Sequence, residues 1–210
     1  AEEIAANPHF SDDAPGGIRI VDTNNDGSLT PEDRVALGTP YPDFTWGITN
    51  TFQIKDFDIS FLIQGVQGIT VLNGDVYYNE TKKWNKKYTK NRWVSAEHPG
   101  DGKTPYQNVK TGHDLMLTDY PLQNASYACL RNFTVGYTLP ATAARKIKLS
   151  GVRFYVSGSN LLYIWGSGYK GINPESRMTS GNYSSAMISG YQRGGFPLTS
   201  TISAGFDINF

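Results

Sequence analysis

Thr201-Ile202-Ser203-Ala204-Gly205-Phe206-Asp207-Ile208-Asn209-Phe210 places Ile202, Ala204, Phe206, Ile208 and Phe210 on one parity and Thr201, Ser203, Gly205, Asp207 and Asn209 on the other. Successive side chains of a strand point to opposite faces, so this segment has one apolar face and one polar face, the dyad of a lipid-facing strand that ends on an aromatic. A strand of a soluble β-sandwich alternates in the same way. The decision therefore rests on whether the pattern recurs, at what length, and between what connections.

It recurs. From Phe44 to Ile54, Phe44, Trp46, Ile48, Phe52 and Ile54 oppose Thr45, Gly47, Thr49, Thr51 and Gln53, with Asn50 alone out of class. That run has the length a tilted strand needs to cross a bilayer and is about twice a typical globular strand. Lys55-Asp56 makes a two-residue turn, and Phe57, Ile59, Phe61 and Ile63 return against Asp58, Ser60, Leu62 and Gln64. Phe133, Val135, Tyr137 and Leu139 alternate with Asn132, Thr134, Gly136 and Thr138, and Val152, Phe154 and Val156 alternate with Arg153, Tyr155 and Ser157. The pattern predicts five long strands, at 42–54, 57–68, 126–139, 151–163 and 198–210.

The connections alternate too. Lys55-Asp56 and the link from Pro140 to Ser150 are short, whereas the segments before residue 42, between 69 and 125, and between 164 and 197 are long and rich in Gly, Ser, Asn and Tyr. Short periplasmic turns and long extracellular loops alternate in this way in bacterial barrels. Phe44, Trp46 and Tyr163 toward the outer end, and Phe52, Phe57, Tyr137 and Phe154 toward the inner end, predict two aromatic girdles. The fold class expected is all-β: an antiparallel transmembrane β-barrel segment with long extracellular loops, divided into an extracellular loop at 1–41 and barrel strands with their loops at 42–210.

Composition is compatible with this and excludes little. The chain has 210 residues, 22 glycines, 13 tyrosines and no net formal charge. Averaged hydropathy is blind to a barrel, because lipid-facing and lumen-facing residues cancel. Residues 1–10 hold no charged-then-apolar leader pattern. The lone Cys129 has no internal disulfide partner and reads as an inert wall residue.

One chemical motif precedes the first strand. Asp22-Thr23-Asn24-Asn25-Asp26-Gly27-Ser28-Leu29-Thr30-Pro31-Glu32-Asp33 carries oxygen donors at positions 1, 3 and 5, glycine at 6 and a carboxylate at 12. This is the EF-hand calcium spacing with Asp33 in place of the usual glutamate. Asp22, Asn24 and Asp26 would ligate Ca2+ through side chains, Ser28 through its carbonyl, and Asp33 through one or both carboxylate oxygens. The alternative is a metal-free Asx-rich turn capping a short helix that begins near Pro31. In either case the motif would stiffen an extracellular loop.

A resemblance now becomes specific. Pro15-Gly16-Gly17-Ile18-Arg19, the 22–27 motif, Asp33-Arg34, the run Leu37-Gly38-Thr39-Pro40-Tyr41-Pro42-Asp43-Phe44 and Gly47-Ile48-Thr49-Asn50 are similar, in order and spacing, to the C-terminal region of SusC/RagA-type TonB-dependent transporters. So are Phe57-Asp58-Ile59-Ser60 with Gln64-Gly65, Asn91-Arg92-Trp93, Asn132-Phe133-Thr134-Val135-Gly136-Tyr137, Ser159-Asn160-Leu161-Leu162 and Asn173-Pro174-Glu175. The resemblance covers nearly the whole chain. It implies the last five strands of a plugged outer-membrane barrel of about 22 strands, importing oligosaccharides or peptides. The partners it implies are the rest of the barrel and its plug, a SusD-like surface lipoprotein, the TonB complex acting through the N-terminal region, and outer-membrane lipid.

Other functions are poorly supported. Lys82, Lys83, Lys86, Lys87, Lys90 and Arg92 interleave with Trp84, Tyr88 and Trp93, a composition that can suit nucleic acid, but in an extracellular loop it reads as a solvated face and no nucleic acid is expected. Loop aromatics, including Trp84, Trp93, Tyr163, Trp165 and Tyr169, can stack on sugar rings or simply pack their loops. His9, His98 and His113 fall in predicted loops with no nucleophile motif beside them, and the acid pairs Glu2-Glu3 and Asp12-Asp13 lie in a polar stretch, so no enzyme is expected. Asp58 and Asp207 read as wall groups bonded to the plug or to water. The competing class is a secreted, soluble, calcium-binding β-sandwich that binds carbohydrate. It would bury Phe44, Trp46, Phe61, Phe133 and Phe206 in its own core.

Overall fold

The computed structural model describes residues 2–75, 90–106, 118–176, 190–192 and 195–210. Its main element is a five-stranded antiparallel sheet of β1 (Phe44–Ile54), β2 (Phe57–Gln67), β5 (Tyr127–Thr138), β6 (Gly151–Trp165) and β8 (Thr201–Asn209), in that spatial order. These are the five strands expected from the alternation, displaced by at most three residues at any end. Lys55 takes the left-handed conformation that the two-residue hairpin turn requires, with φ 55°.

The register aligns the apolar parities across the whole sheet. Ile48 faces Ile63, Phe61 faces Phe133, Val135 faces Val156, and Phe154 faces Phe206. Nothing among the described residues covers this face: Phe44, Ile48, Ile54, Phe206 and Phe210 are 58, 54, 58, 65 and 94% exposed. A continuous apolar face of this extent has no place in water and belongs against lipid. The β-sandwich alternative fails here, because of the residues it needs as a core Phe44 and Phe206 lie open, Trp46, Phe61 and Phe133 are half-buried, and among the described residues no second sheet packs on them.

Two irregularities interrupt the pairing toward one end. Between Leu62 and Ile63 the β2–β5 register slips by one residue at Arg131, and the facing part of β6 slips at Asn160, whose φ is 56°. Beyond this double bulge the parity of β5 is reversed, so that Leu130 turns to the apolar face and Cys129 to the polar one. In β6 the two residues Asn160 and Leu161 opposite Arg131 keep the parity, with Leu162 apolar-facing and Tyr163 polar-facing. Tyr163, expected in the outer girdle from its place near the strand end, shares the parity of Arg153, Tyr155 and Ser157 and so faces the lumen side. Trp46 does lie on the apolar face, close over Gly65 of β2.

The buried core lies outside the wall, in the long connections. A second sheet, unforeseen from periodicity because its strands are so short, has the order β4-β3-β7: β3 (Thr70–Asn73), β4 (Leu122–Asn124) and β7 (Tyr191–Gln192). Ile69, Val71, Ala125 and Tyr169 form its apolar centre and pack on Val66, which shares the polar parity of β2. The loops thus fold over the polar face at the end away from Lys55-Asp56. At the opposite end the β5–β6 link contains a helix, α2 (Ala141–Lys146), and a first short helix, α1 (Glu2–Ala6), opens the described chain.

Candidate functional site

Two ion-pair clusters mark the polar face. Near the short-turn end, Arg153 of β6 reaches across β5 to Asp58 of β2, with Nε donating to Oδ1 at 3.0 Å and Nη2 to Oδ2 at 2.6 Å. Its Nη1 donates to Asp207 of β8 at 3.4 Å, and its guanidinium lies 5.2 Å from the Tyr155 ring centre. The intervening residue is Gly136. A β-carbon there would lie 2.4 Å from Asp58 Oδ1 and 2.5 Å from Arg153 Nη2, so the bidentate pair needs a bare backbone beneath it. Both sequence-assigned wall acids, Asp58 and Asp207, meet in this one cluster.

The second cluster sits at the loop end and is built by the bulge. Arg131, the extra residue of β5, pairs with Glu175 from the connection after β6, and donates to Asn160 Oδ1 at 2.7 Å and to the Tyr163 hydroxyl at 2.9 Å. Tyr163 in turn donates to Glu175 at 3.2 Å. Above this network runs a ladder of rings: Tyr127–Tyr163 at 6.1 Å between centres, Tyr163–Trp165 at 6.5 Å and Trp165–Tyr169 at 6.2 Å. Cys129 is 1% exposed beside them and packs as a wall residue. Composition hinted at the aromatics; Arg131, Asn160 and Glu175 were not legible as a site, because only the bulge turns them to one face. In the sequence Glu175 stands only within the Asn173-Pro174-Glu175 landmark.

A buried polar network holds the loops over this site. Gln123 accepts from Asn73 Nδ2 at 3.1 Å and from the Lys170 amide at 2.9 Å, and the Tyr169 hydroxyl donates to Gln192 at 2.7 Å. Two landmarks far apart in sequence also meet, since the Trp93 ring lies against Gly16 at φ 79°, where a β-carbon would come within 2.3 Å of the ring. Trp93 therefore packs loop on loop.

In the 22–33 loop, the Gly27 amide donates to Asp22 Oδ2 at 2.8 Å, the Asp26 amide to Asn24 Oδ1 at 2.9 Å, and the Ser28 amide to Asp26 Oδ1 at 2.8 Å. Asp22, Asn24 and Asp26 thus wrap one turn. Asp33 does something else: Oδ1 accepts from the Thr23 amide and Oδ2 from the Thr30 amide, both at 2.8 Å, closing a capping box on the 3-10 turn Pro31–Asp33. Those amides, Thr30 foremost, hold the Asp33 carboxyl below the usual carboxylate range. Among the described residues no three His, Cys, Asp or Glu side chains converge into a metal-holding group. The donors are hard oxygens suited to calcium; the amide-bound oxygens of Asp22 and Asp26 each accept one hydrogen bond, whereas Asp33 Oδ1 also accepts from the Thr23 hydroxyl at 3.4 Å.

His9 hydrogen bonds with the Asn7 carbonyl at 2.9 Å, and His98 pairs with Ser95 through the backbone. His113, Trp84, Tyr88 and Lys82, Lys83, Lys86 and Lys87 lie outside the described residues.

The whole chain aligns with TonB-dependent receptor P26 of Formosa agariphila, 30% identical over 219 residues, and 95% of it with receptor P3 of the same organism, also at 30%. TonB-dependent receptor SusC of Bacteroides thetaiotaomicron is 27% identical over 157 residues, 74% of this chain. The fold superposes on the RagAB peptide importer in its closed-closed state with a TM-score of 0.63 at 21% identity, over 83% of this chain. The chain corresponds to the C-terminal barrel region of SusC/RagA-type TonB-dependent receptors. Its membrane is the bacterial outer membrane, its apolar face is the lipid face, and its polar face, with both ion-pair clusters, is the lumen wall. The chain spans 21% of the length of receptor P26 and 18% of that of the RagAB chain. No family profile matches it.

Proposed function

We propose that this segment forms one side of an outer-membrane active transporter that imports oligosaccharides or peptides, energised by a TonB complex through the rest of the protein and working with a SusD-like surface lipoprotein. The observation that carries this reading is the aromatic ladder from Tyr127 to Tyr169, set over the Arg131–Glu175 pair on the lumen wall beneath the folded loops. Ring faces stack on pyranose rings or peptide side chains, and a guanidinium–carboxylate pair offers hydrogen bonds to hydroxyls, amides or carboxylates. The test is uptake by the native bacterium carrying the full-length receptor, comparing deletion, Trp165→Ala and Arg131→Gln strains on a panel of oligosaccharides and peptides. A substrate whose uptake falls in all three supports the proposal; growth on the panel unchanged by deletion overturns it.

Calcium belongs to the same proposal as a structural cofactor of the extracellular loop, held by Asp22, Asn24, Asp26 and Asp33 side chains and the Ser28 carbonyl. The convergence of Asp22, Asn24 and Asp26 on one turn supports it. Extracellular calcium modules bind at roughly 10⁻⁴–10⁻³ M, so titration calorimetry of the full receptor should show one such site, lost in Asp22→Ala.

A further inference from the structure

We infer that the β5–β6 link, made of α2 and the basic turn after it, is a binding site for anionic phospholipid headgroups at the periplasmic boundary of the membrane. The link belongs to the short-turn end: the Thr138 amide donates to Asp56 of the β1–β2 turn at 2.8 Å, and the Ser150 amide to Asn209 at 2.8 Å. There α2 packs on β6 with Ala144 fully buried. Val152 stands opposite Ile208 on the lipid-face parity yet is 6% exposed, while Phe154 and Val156, next on the same face, are 51 and 53% exposed. The helix therefore continues the lipid-facing surface, covering its lower edge at the level where headgroups begin.

What the link shows to its surroundings suits those headgroups. Arg145, Lys146 and Lys148 are all exposed, none is in an ion pair among the described residues, and no acidic residue occurs from 139 to 150. Ile147, between two of the cations, is 58% exposed, placing an apolar side chain where a lipid acyl boundary would receive it. Lys148 occupies the left-handed position after the helix, φ 59°, where glycine or asparagine is the usual residue, and the chain turns there with a cation. The other side-chain charges at this end are accounted for: Lys55 and Asp56 adjoin and offset each other, and Asp58 and Asp207 are held by Arg153 on the lumen side. An apolar edge with three unopposed cations meets an anionic lipid surface by both its parts.

The inference rests on the outer-membrane placement and not on what is transported. It is tested with the full-length receptor in nanodiscs, measuring association of spin-labelled phosphatidylglycerol against phosphatidylcholine. A cation at an anionic surface contributes roughly fivefold to partition, so the wild type should prefer phosphatidylglycerol. The Arg145→Gln/Lys146→Gln/Lys148→Gln variant should lose at least about tenfold of that preference, and Lys90→Gln/Lys103→Gln, in the extracellular loops, should keep it. Equal association of the two lipids with the wild type, preference intact in the triple variant, or full competition by millimolar glycerophosphate would each overturn the proposal. If the triple variant fails to assemble, as read by loss of the heat-modifiable band on gels, Lys148→Gln and Arg145→Gln alone should each lower the preference several-fold. Uptake that persists while lipid preference is lost leaves the transporter reading untouched.

Discussion

Gly136 and Asp33 show how much a single residue decides. A methyl group at 136 would occupy the space where the Asp58 carboxylate meets the Arg153 guanidinium, so Gly136→Ala should break a three-strand cross-tie and cost about 1–3 kcal/mol, seen as a lower temperature of heat modification. Asp58→Asn, which retains one acceptor, should cost less. Asp33 is a different case, with a carboxyl held below its ordinary range by the Thr30 and Thr23 amides. A depressed folded value stabilises the loop at every pH above the ordinary carboxylate range and loses that contribution as pH falls through the lowered folded value. Protection factors of the 22–33 amides, taken against the intrinsic exchange rate at each pH, should therefore stay high from neutral pH into the mildly acidic range and fall only below it. Asp33→Asn should lower those protection factors throughout, with little further change on acidification.

At the scale of elements, the paired bulges at Arg131 and Asn160 matter most. Below them parity is regular, and above them it is reversed in β5, so that Cys129 faces the lumen and Leu130 the lipid, while β6 keeps its parity with Tyr163 toward the lumen and Leu162 toward lipid. Bimane attached through cysteine at Leu162, Ala204 or Phe206 should accordingly be quenched by nitroxide lipids, and bimane at Tyr163 or Ser203 should not. The same bulge aims Arg131 at Glu175 and so fastens the connection after β6. Charge-assisted hydrogen bonds of this kind contribute about 2 kcal/mol, and Arg131→Gln should raise protease cleavage within 166–200 roughly 30-fold without altering membrane insertion.

For the whole molecule the governing fact is an open sheet. β1 and β8 stand at its two ends, each with one edge carrying no partner strand among the described residues. Hydrocarbon does not tolerate unpaired backbone amides and carbonyls, so the segment requires neighbouring strands on both sides. The full receptor should fractionate with the outer membrane and leave it only in detergent. The 210-residue chain expressed alone should yield no protease-resistant monomer, while the same residues within the full receptor resist digestion. A soluble, folded 23.2-kDa monomer would return the β-sandwich to consideration.

Alternation over ten or more residues was enough, by itself, to determine the strands, their order along the chain, the lipid face and the division into short turns and long loops. A strand's period of two is a local property, and a lipid face needs every second side chain to be apolar. The Asp22-to-Asp33 spacing was equally plain, because a turn that gathers oxygens is encoded within twelve neighbouring positions. Tertiary structure alone decided the rest. Cys129 and Leu130 exchanged faces because a bulge leaves no mark on alternation until its partner strand is in place. β3, β4 and β7 are too short to show a period, and Arg131, Asn160, Tyr163 and Glu175 form one site only when strand pairing and the folded loop bring together residues separated by up to 44 positions.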